Sequence, residues 1–180
     1  MAEQRFIISG FGGQGVMLMG MILAYAGMLE GKEVTWLPSY GPEMRGGTAN
    51  CHVIVSDKPI SSPIVSKAST VVAMNLPSLT KFQKHLVAEG KLFLNDSLIN
   101  VKTDRKDIRE YCVSANDIAM ELYNSKIANM VMLGAIIKET GVVRHGTVEK
   151  VLEKVFSGDK AKLIPVNIEA LKKGEELFLN

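Results

Sequence analysis

Short apolar runs of strand length alternate along this chain with longer segments whose apolar residues recur at helical spacing. Residues 5–9 hold the first run, Phe6-Ile7-Ile8, and a strand there leads through a glycine-rich turn into an apolar helix over about 15–29. Glu30-Gly31-Lys32 places a glycine where that helix must stop. A second strand is expected at 33–37, followed by a loop over 38–48. Residues 49–56 predict a third strand, with Cys51, Val53 and Val55 alternating with His52, Ile54 and Ser56. Pro59 and Pro63 keep the next segment extended or edge-like. The stretch 49–64, with a turn at Asp57-Lys58-Pro59, is where antiparallel pairing is expected.

Further strands are predicted at 70–74, 91–94 and 111–114. Pro77 opens a helix to about Leu86, and Asn116 is read as the cap of a helix over 117–123. A strongly apolar helix over 127–140 ends at Gly141, and helices at 147–156 and 166–178 complete the C-terminal third. Strands alternating with helices predict an α/β fold, a three-layer α/β/α sandwich that is Rossmann-like with a mixed, mostly parallel sheet. The length, 180 residues, suits one domain over 1–180.

Composition narrows the function classes. At 47% hydrophobic the chain can build a full core, and 21 basic against 19 acidic residues leave a net charge of +2. The basic residues are scattered, so neither a nucleic acid nor a membrane surface is an expected partner. Residues 6–29 carry no charge, but the glycine turn interrupts them and the apolar part after Gly15 is too short to span a bilayer. No cleavage pattern follows the charged N-terminal residues, which predicts a cytoplasmic protein. Cys51 and Cys112 have no zinc or iron–sulfur spacing and are read as buried free thiols, so no metal site is expected. Ten methionines suit adaptable packing against a core or a partner.

The first chemical candidate is the turn Ser9-Gly10-Phe11-Gly12-Gly13-Gln14-Gly15. Glycines admit positive φ and bring backbone N–H groups close to an anion at a helix start, so Gly10, Gly12 and Gly15 have the spacing of a phosphate cradle. The same spacing serves a dinucleotide site, a tight turn or a partner-facing backbone. A dinucleotide site also needs an acidic residue about 20 positions on, at the end of the second strand. Val34-Thr35-Trp36-Leu37-Pro38-Ser39 holds no carboxylate, and no Gly-Lys-Ser/Thr follows the glycines as a Walker loop requires. Gln14 either orients a ligand group or bonds to a neighbouring loop.

The second candidate is the loop 38–50, at a strand carboxyl end where open α/β sheets place ligands. Arg45 there is suited to a phosphate or carboxylate, or to a plain ion pair with Glu43. Elsewhere the readings are structural: His52 as a satisfied strand histidine, His145 as a turn residue, Asp104-Arg105-Lys106-Asp107 as a solvated charge run. Asn75 is either a helix cap or a ligand contact at a strand end. No nucleophile–base pair or acid–base carboxylate couple is found, so no catalytic residue is assigned.

Taken together, GFGGQG at 10–15 and SYGPEMRGG at 39–47 closely resemble the gamma subunit, or fused gamma domain, of the 2-oxoacid:ferredoxin/acceptor oxidoreductases. Weaker likenesses continue through Ser62-Pro63, Met132-Leu133-Gly134-Ala135 and the stretch from Asn167 to Gly174. The resemblance implies a subunit of a complex that oxidatively decarboxylates a 2-oxoacid to acyl-CoA and CO2 and reduces ferredoxin. It implies alpha and beta subunits as partners, with a ferredoxin-like delta subunit in some complexes. Thiamine diphosphate, Mg2+, iron–sulfur clusters and coenzyme A would then be carried mainly by partner chains, with no cofactor held by this chain alone. Gly10, Gly12, Gly13, Gln14, Gly15, Tyr40, Arg45, Gly46 and Gly47 become the cofactor-facing candidates. The alternatives are a standalone nicotinamide- or flavin-binding enzyme and a scaffold that binds no small molecule.

Overall fold

The computed structural model describes residues 3–39 and 49–178. Phe6, Ile7 and Ile8 are all fully buried, since a central strand must hide both of its faces. In chain order the elements are β1 (Gln4–Gly10), α1 (Val16–Leu29), β2 (Glu33–Ser39), β3 (Ala49–Ser56), β4 (Ala68–Ala73) and α2 (Leu76–Phe82). They continue with β5 (Leu86–Asn95), β6 (Arg109–Val113), α3 (Ala115–Glu121), α4 (Ala128–Thr140), α5 (His145–Val155) and α6 (Ile164–Glu176).

The strands form one six-stranded sheet in the order β2-β3-β1-β4-β5-β6. β1, β4, β5 and β6 pair in parallel, while β3 runs antiparallel to both β1 and β2. Five strands therefore point one way and β3 alone points back, the mixed, mostly parallel α/β arrangement expected. The antiparallel pairing comes from β3 lying between β1 and β2, not from the turn at 57–59.

Alternation along β1 splits the core into two layers. Phe6 and Ile8 face a large cluster with α1, α3, α4, α5 and α6. Ile7 faces a smaller cluster with Leu79 and Phe82 of α2 and loop residues such as Val65 and Ile99. The sandwich has three layers, with unequal outer ones. On the heavier side α4 and α6 cross at two glycines: a Cβ on Gly134 would meet the Leu171 carbonyl oxygen at 2.0 Å, and one on Gly174 the Val131 oxygen at 1.9 Å.

Helix ends follow local chemistry. Gly31, with φ +73°, closes α1 in a Schellman motif, donating to Met28 O at 3.0 Å while the Lys32 N–H reaches Gly27 O at 3.1 Å. Gly141 ends α4 in the left-handed region, as expected. Two helix ends and one thiol correct the sequence reading here. The helix at Pro77 stops at Phe82, and after a 3-10 turn at Gln83–His85 the chain enters β5 at Leu86, because Leu86 is needed in the smaller core. Ser114, not Asn116, is the N-cap of α3, and Asn116 turns its amide to Asn95 instead. Cys112 is exposed on β6, the edge strand, and only Cys51 is the buried thiol expected.

Candidate functional site

β1 and β4 are parallel neighbours, with Ser9 opposite Ala73. The chain leaves β1 for α1 on one face of the sheet and leaves β4 for α2 on the other. Neighbouring strands whose connections depart to opposite faces open a crevice at their carboxyl ends, the usual ligand position in such sheets. The glycine turn stands at this crevice.

Its glycines are required for different reasons. A Cβ on Gly10 would come within 2.7–2.9 Å of Gln14, Met74 and Val16, so side chains close over that position. Gly15 is the N-cap of α1 with φ +72°, and a Cβ there would lie 2.4 Å from Asn129 Nδ2. Gly13 also has positive φ, +94°, but a Cβ would meet nothing within 4 Å. Gly12 and Gly13 are both exposed. Packing thus accounts for Gly10 and Gly15, whereas Gly13 is set by its backbone angle and faces open space.

Gln14 bonds internally. Its Oε1 accepts from the Phe11 N–H at 2.6 Å and from Asn75 Nδ2 at 3.0 Å, and its Nε2 donates to Met74 O at 3.2 Å. Asn75 in turn caps α2, accepting the Ser78 N–H at 2.9 Å. Of the two readings of Asn75 the cap is the one seen, with the bond to the glycine turn added. Beneath the turn, the buried Ser9 hydroxyl lies 2.9 Å from Ser78 Oγ and 3.3 Å from Ala49 O.

Tyr40, Arg45, Gly46 and Gly47, with Glu43, lie outside the described residues. Their anchors do not: Ser39 pairs with Asn50, and Ala49 pairs with Gly10. Both ends of the loop are therefore tied to the strand edge that carries the glycine turn. Strand order also bears on a dinucleotide. The crevice of such folds needs the second strand beside the first, and here β3 lies between β1 and β2. The absent carboxylate is compounded by a displaced strand.

A cleft of about 80 Å³ adjoins the turn, its lining including Gly13, Gln14, Met74, Asn116, Lys126 and Asn129. Sequence reading gave no site role to Asn116, Lys126 and Asn129, nor to Asn95 behind them. The available signal was Asn95, an amide ending an apolar strand run; it is fully buried and donates to both Met74 O and Asn116 Oδ1.

The remaining candidates are mostly structural. His52 accepts the Val65 N–H on Nδ1 at 3.2 Å, and burial, with His85 nearby, holds its pKa below the ordinary imidazole range. His145 is not a turn residue: it begins α5 and its ring nitrogens lie 3.0 Å from Glu149 and 2.9 Å from Glu175, joining α5 to α6. Arg105 is not merely solvated, since Nη1 donates to Gln83 O and Leu86 O while Nε pairs with Asp107. Among the described residues no group of three His, Cys, Asp or Glu side chains is placed to hold a metal ion. No helix among them is long and apolar enough to cross a membrane.

Fold and site define an α/β protein with a glycine turn at a parallel-strand crevice, and the comparisons agree. The family profile described as pyruvate ferredoxin/flavodoxin oxidoreductase matches residues 5–177. The chain is 38% identical over 176 residues to the ketoisovalerate oxidoreductase subunit VorA of Methanothermobacter marburgensis, covering 97% of this chain and 36% of that protein. It is 36% identical over 174 residues to the 2-oxoglutarate synthase subunit KorC of Methanocaldococcus jannaschii, covering 94% of this chain and 91% of that protein. The solved gamma subunit of a keto/oxoacid ferredoxin oxidoreductase from Geobacter sulfurreducens superposes with a TM-score of 0.82 at 29% identity, over 98% of this chain and 97% of that one. This chain belongs to the pyruvate ferredoxin/flavodoxin oxidoreductase family. It spans about a third of the length of the VorA relatives and nearly all of the KorC relative.

Proposed function

We propose that residues 1–180 form one gamma-type domain, serving as the gamma subunit of a 2-oxoacid:ferredoxin (acceptor) oxidoreductase that converts a 2-oxoacid to acyl-CoA and CO2. The observation that carries this reading is likeness along nearly the whole chain to KorC and to a gamma subunit solved as a separate chain. Branched-chain 2-oxoacids and 2-oxoglutarate are the candidate substrates, matching the names of the relatives.

The cofactors of such a complex divide between chains according to chemistry. Two cysteines cannot supply four thiolates, and Cys51 and Cys112 sit on separate strands, one buried and one exposed. Iron–sulfur clusters therefore do not fit this chain and belong to partners. Phosphate groups do fit: among the described residues the Gly12 and Gly13 N–H groups meet no acceptor, and Gly13 faces open space. Thiamine diphosphate, when bound in the complex, supplies the carbanion chemistry of decarboxylation. This chain's own part is to present Gly10, Gly12, Gly13, Gln14 and Gly15, with Tyr40, Arg45, Gly46 and Gly47, toward a phosphate of coenzyme A or thiamine diphosphate on the shared face.

The surface of α1 supports a subunit role. The helix is apolar all round, and Tyr25, Met28 and Leu29 are about half exposed beside a groove of about 570 Å³ shared with Val151 and Val155 of α5. Partner alpha and beta chains, with a ferredoxin-like delta chain and ferredoxin as acceptor, complete the reading, in the cytoplasm. Purification from the native cell tests it. Co-elution with larger thiamine- and cluster-bearing chains, and turnover of a 2-oxoacid by that complex but not by this chain alone, is the expected result. A lone colourless protein, or turnover by the chain alone, overturns it. An Arg45→Ala complex that assembles with unchanged affinity for coenzyme A and thiamine diphosphate overturns the ligand-facing role of the loop.

A further inference from the structure

We propose that the groove between α1 and α5 docks a helix of a partner chain, one with an apolar seam and acidic residues along one flank. The proposal rests on the gamma-subunit reading and deepens it, naming the surface and the chemistry of what covers it.

The seam comes from spacing. Leu18, Met21, Tyr25 and Met28 follow one another at steps of three, four and three, so they share one face of α1. That face is the outer one: none of the four is buried, and Tyr25 and Met28 are 49% and 59% exposed. The opposite side is spent on the core, with Met19, Ile22, Leu23 and Ala26 buried. A helix on a solvent-facing layer ordinarily puts its charges outward, yet α1 carries no charged residue at all. Met21, Tyr25 and Met28 stand as a ridge between two grooves. One, of about 270 Å³, runs toward Val34 and Trp36 of β2, and the other, of about 570 Å³, toward Val151 and Val155 of α5. Met21 and Met28 supply side chains that adapt to a facing seam.

Backbone chemistry selects a helix as the occupant. Both walls of the larger groove are helices, whose backbone groups are already bonded internally, so a strand laid there would bury N–H and C=O groups against apolar side chains with nothing to pair them. A helix arrives with its backbone satisfied. Charge selects the flank. At Leu29 and Lys154 the groove runs on into a depression where Arg144, Lys150 and Lys154 stand against one carboxylate, Glu153. Arg144 shares its charge with Glu30 at 3.3 Å, but among the described residues the exposed Lys150 and Lys154 form no ion pair. They sit one turn apart, where like charges weaken a helix. A second copy of this chain is a poor occupant, because two-fold pairing sets the patch against itself and cation against cation. Carboxylates one turn apart on a docked helix, about 6 Å along its axis, match both lysines.

A zero-length carbodiimide joins an amine to a carboxylate in contact with it, and its use on the complex purified from the native cell tests the proposal. Peptide mapping is expected to join Lys150 or Lys154 to an Asp or Glu of a partner chain, in a segment whose apolar residues recur at steps of three and four. Lys150→Gln together with Lys154→Gln should weaken reassembly of the full chain with its partners about tenfold at low salt, by a factor that shrinks as salt rises. The matching pair of Lys→Arg changes should retain affinity, and unchanged circular dichroism establishes that the variants fold. An intact complex in which both lysines couple only within this chain, to a second copy of it, or to a segment without that seam overturns the proposal and leaves the subunit role standing. Reassembly that the Lys→Gln pair leaves unweakened overturns it equally. The absence of any complex removes the subunit role and the proposal with it, so the two failures are told apart.

Discussion

Gln14 and Asn75 are joined across the carboxyl edge of the sheet by a 3.0 Å hydrogen bond from Asn75 Nδ2 to Gln14 Oε1. Gln14 belongs to the turn that starts α1 on one face, and Asn75 caps α2 on the other. One amide pair thus locks together the two helix starts that define the crevice, and it does so with polar groups that an unfilled crevice would otherwise leave unsatisfied.

Gln14→Ala removes the acceptor for the Phe11 N–H and for Asn75, and the donor to Met74 O. Stability is expected to fall by about 1–3 kcal/mol. Amides of the glycine turn should exchange faster than in the parent, which hydrogen exchange measures directly. An unchanged urea midpoint with unchanged turn protection would show that the pair does not hold the crevice.

Backbone positions on the heavier layer predict effects of opposite sign. Gly134→Ala forces a Cβ onto the Leu171 carbonyl and should cost about 2–3 kcal/mol, since two packed helices must separate. Tyr123 follows α3 in the left-handed region, with φ +54° and a ring 97% exposed. Tyr123→Gly relieves that backbone without removing packing, and should stabilise by about 1 kcal/mol. Thermal or urea unfolding of the two variants beside the parent tests both signs.

Glu30 carries a pH-dependent part of the stability. Burial raises its pKa, but the Arg144 N–H at 2.7 Å, the Thr147 hydroxyl and Lys32 at 3.2 Å together outweigh burial and hold the carboxyl below its ordinary value. A depressed carboxylate stabilises the fold above its unfolded pKa, and that contribution is lost as pH falls through the folded one. Glu30→Gln should therefore cost about 1–3 kcal/mol near neutrality and flatten the stability profile below about pH 4.5. Urea midpoints across that range check it; equal slopes in parent and variant would refute it.

The two thiols should separate cleanly. Burial pushes Cys51 up to about 12, leaving it protonated and enclosed at neutral pH. Cys112 is also raised, by partial burial and by Glu110 and Asp96, but it is accessible. A thiol reagent should modify Cys112 alone in the native protein, faster as pH rises, and both residues after unfolding. Modification of Cys51 in the folded chain, located by peptide mapping, would contradict the packing of α1 on β3.

Elements whose chemistry is local were legible in the residues themselves. Phe6-Ile7-Ile8 reads as a strand because no short apolar run can stay exposed, and Gly31 and Gly141 read as stops because only glycine enters the left-handed region without strain. The turn at 10–15 and the loop at 39–47 were recognisable as a pair from their residues, and from nothing in their spacing. Other features depended on partners distant in the chain. Leu86 joins a strand because the smaller core needs it, Asn116 turns from a cap to a bond with Asn95, and Cys112 is exposed because β6 is an edge. The insertion of β3 between β1 and β2, which displaces the ribose side of a dinucleotide crevice, belongs to the same class. Sequence by itself determined the alternation of elements and the glycine turn, because these rest on backbone preference and burial of neighbouring residues, while the family likeness rests on the residues of the two motifs alone. Only tertiary structure decided that Gly13 faces open space and that it lines one cleft with Asn116 and Lys126, because strand order and hydrogen bonds between residues far apart in the chain set those positions.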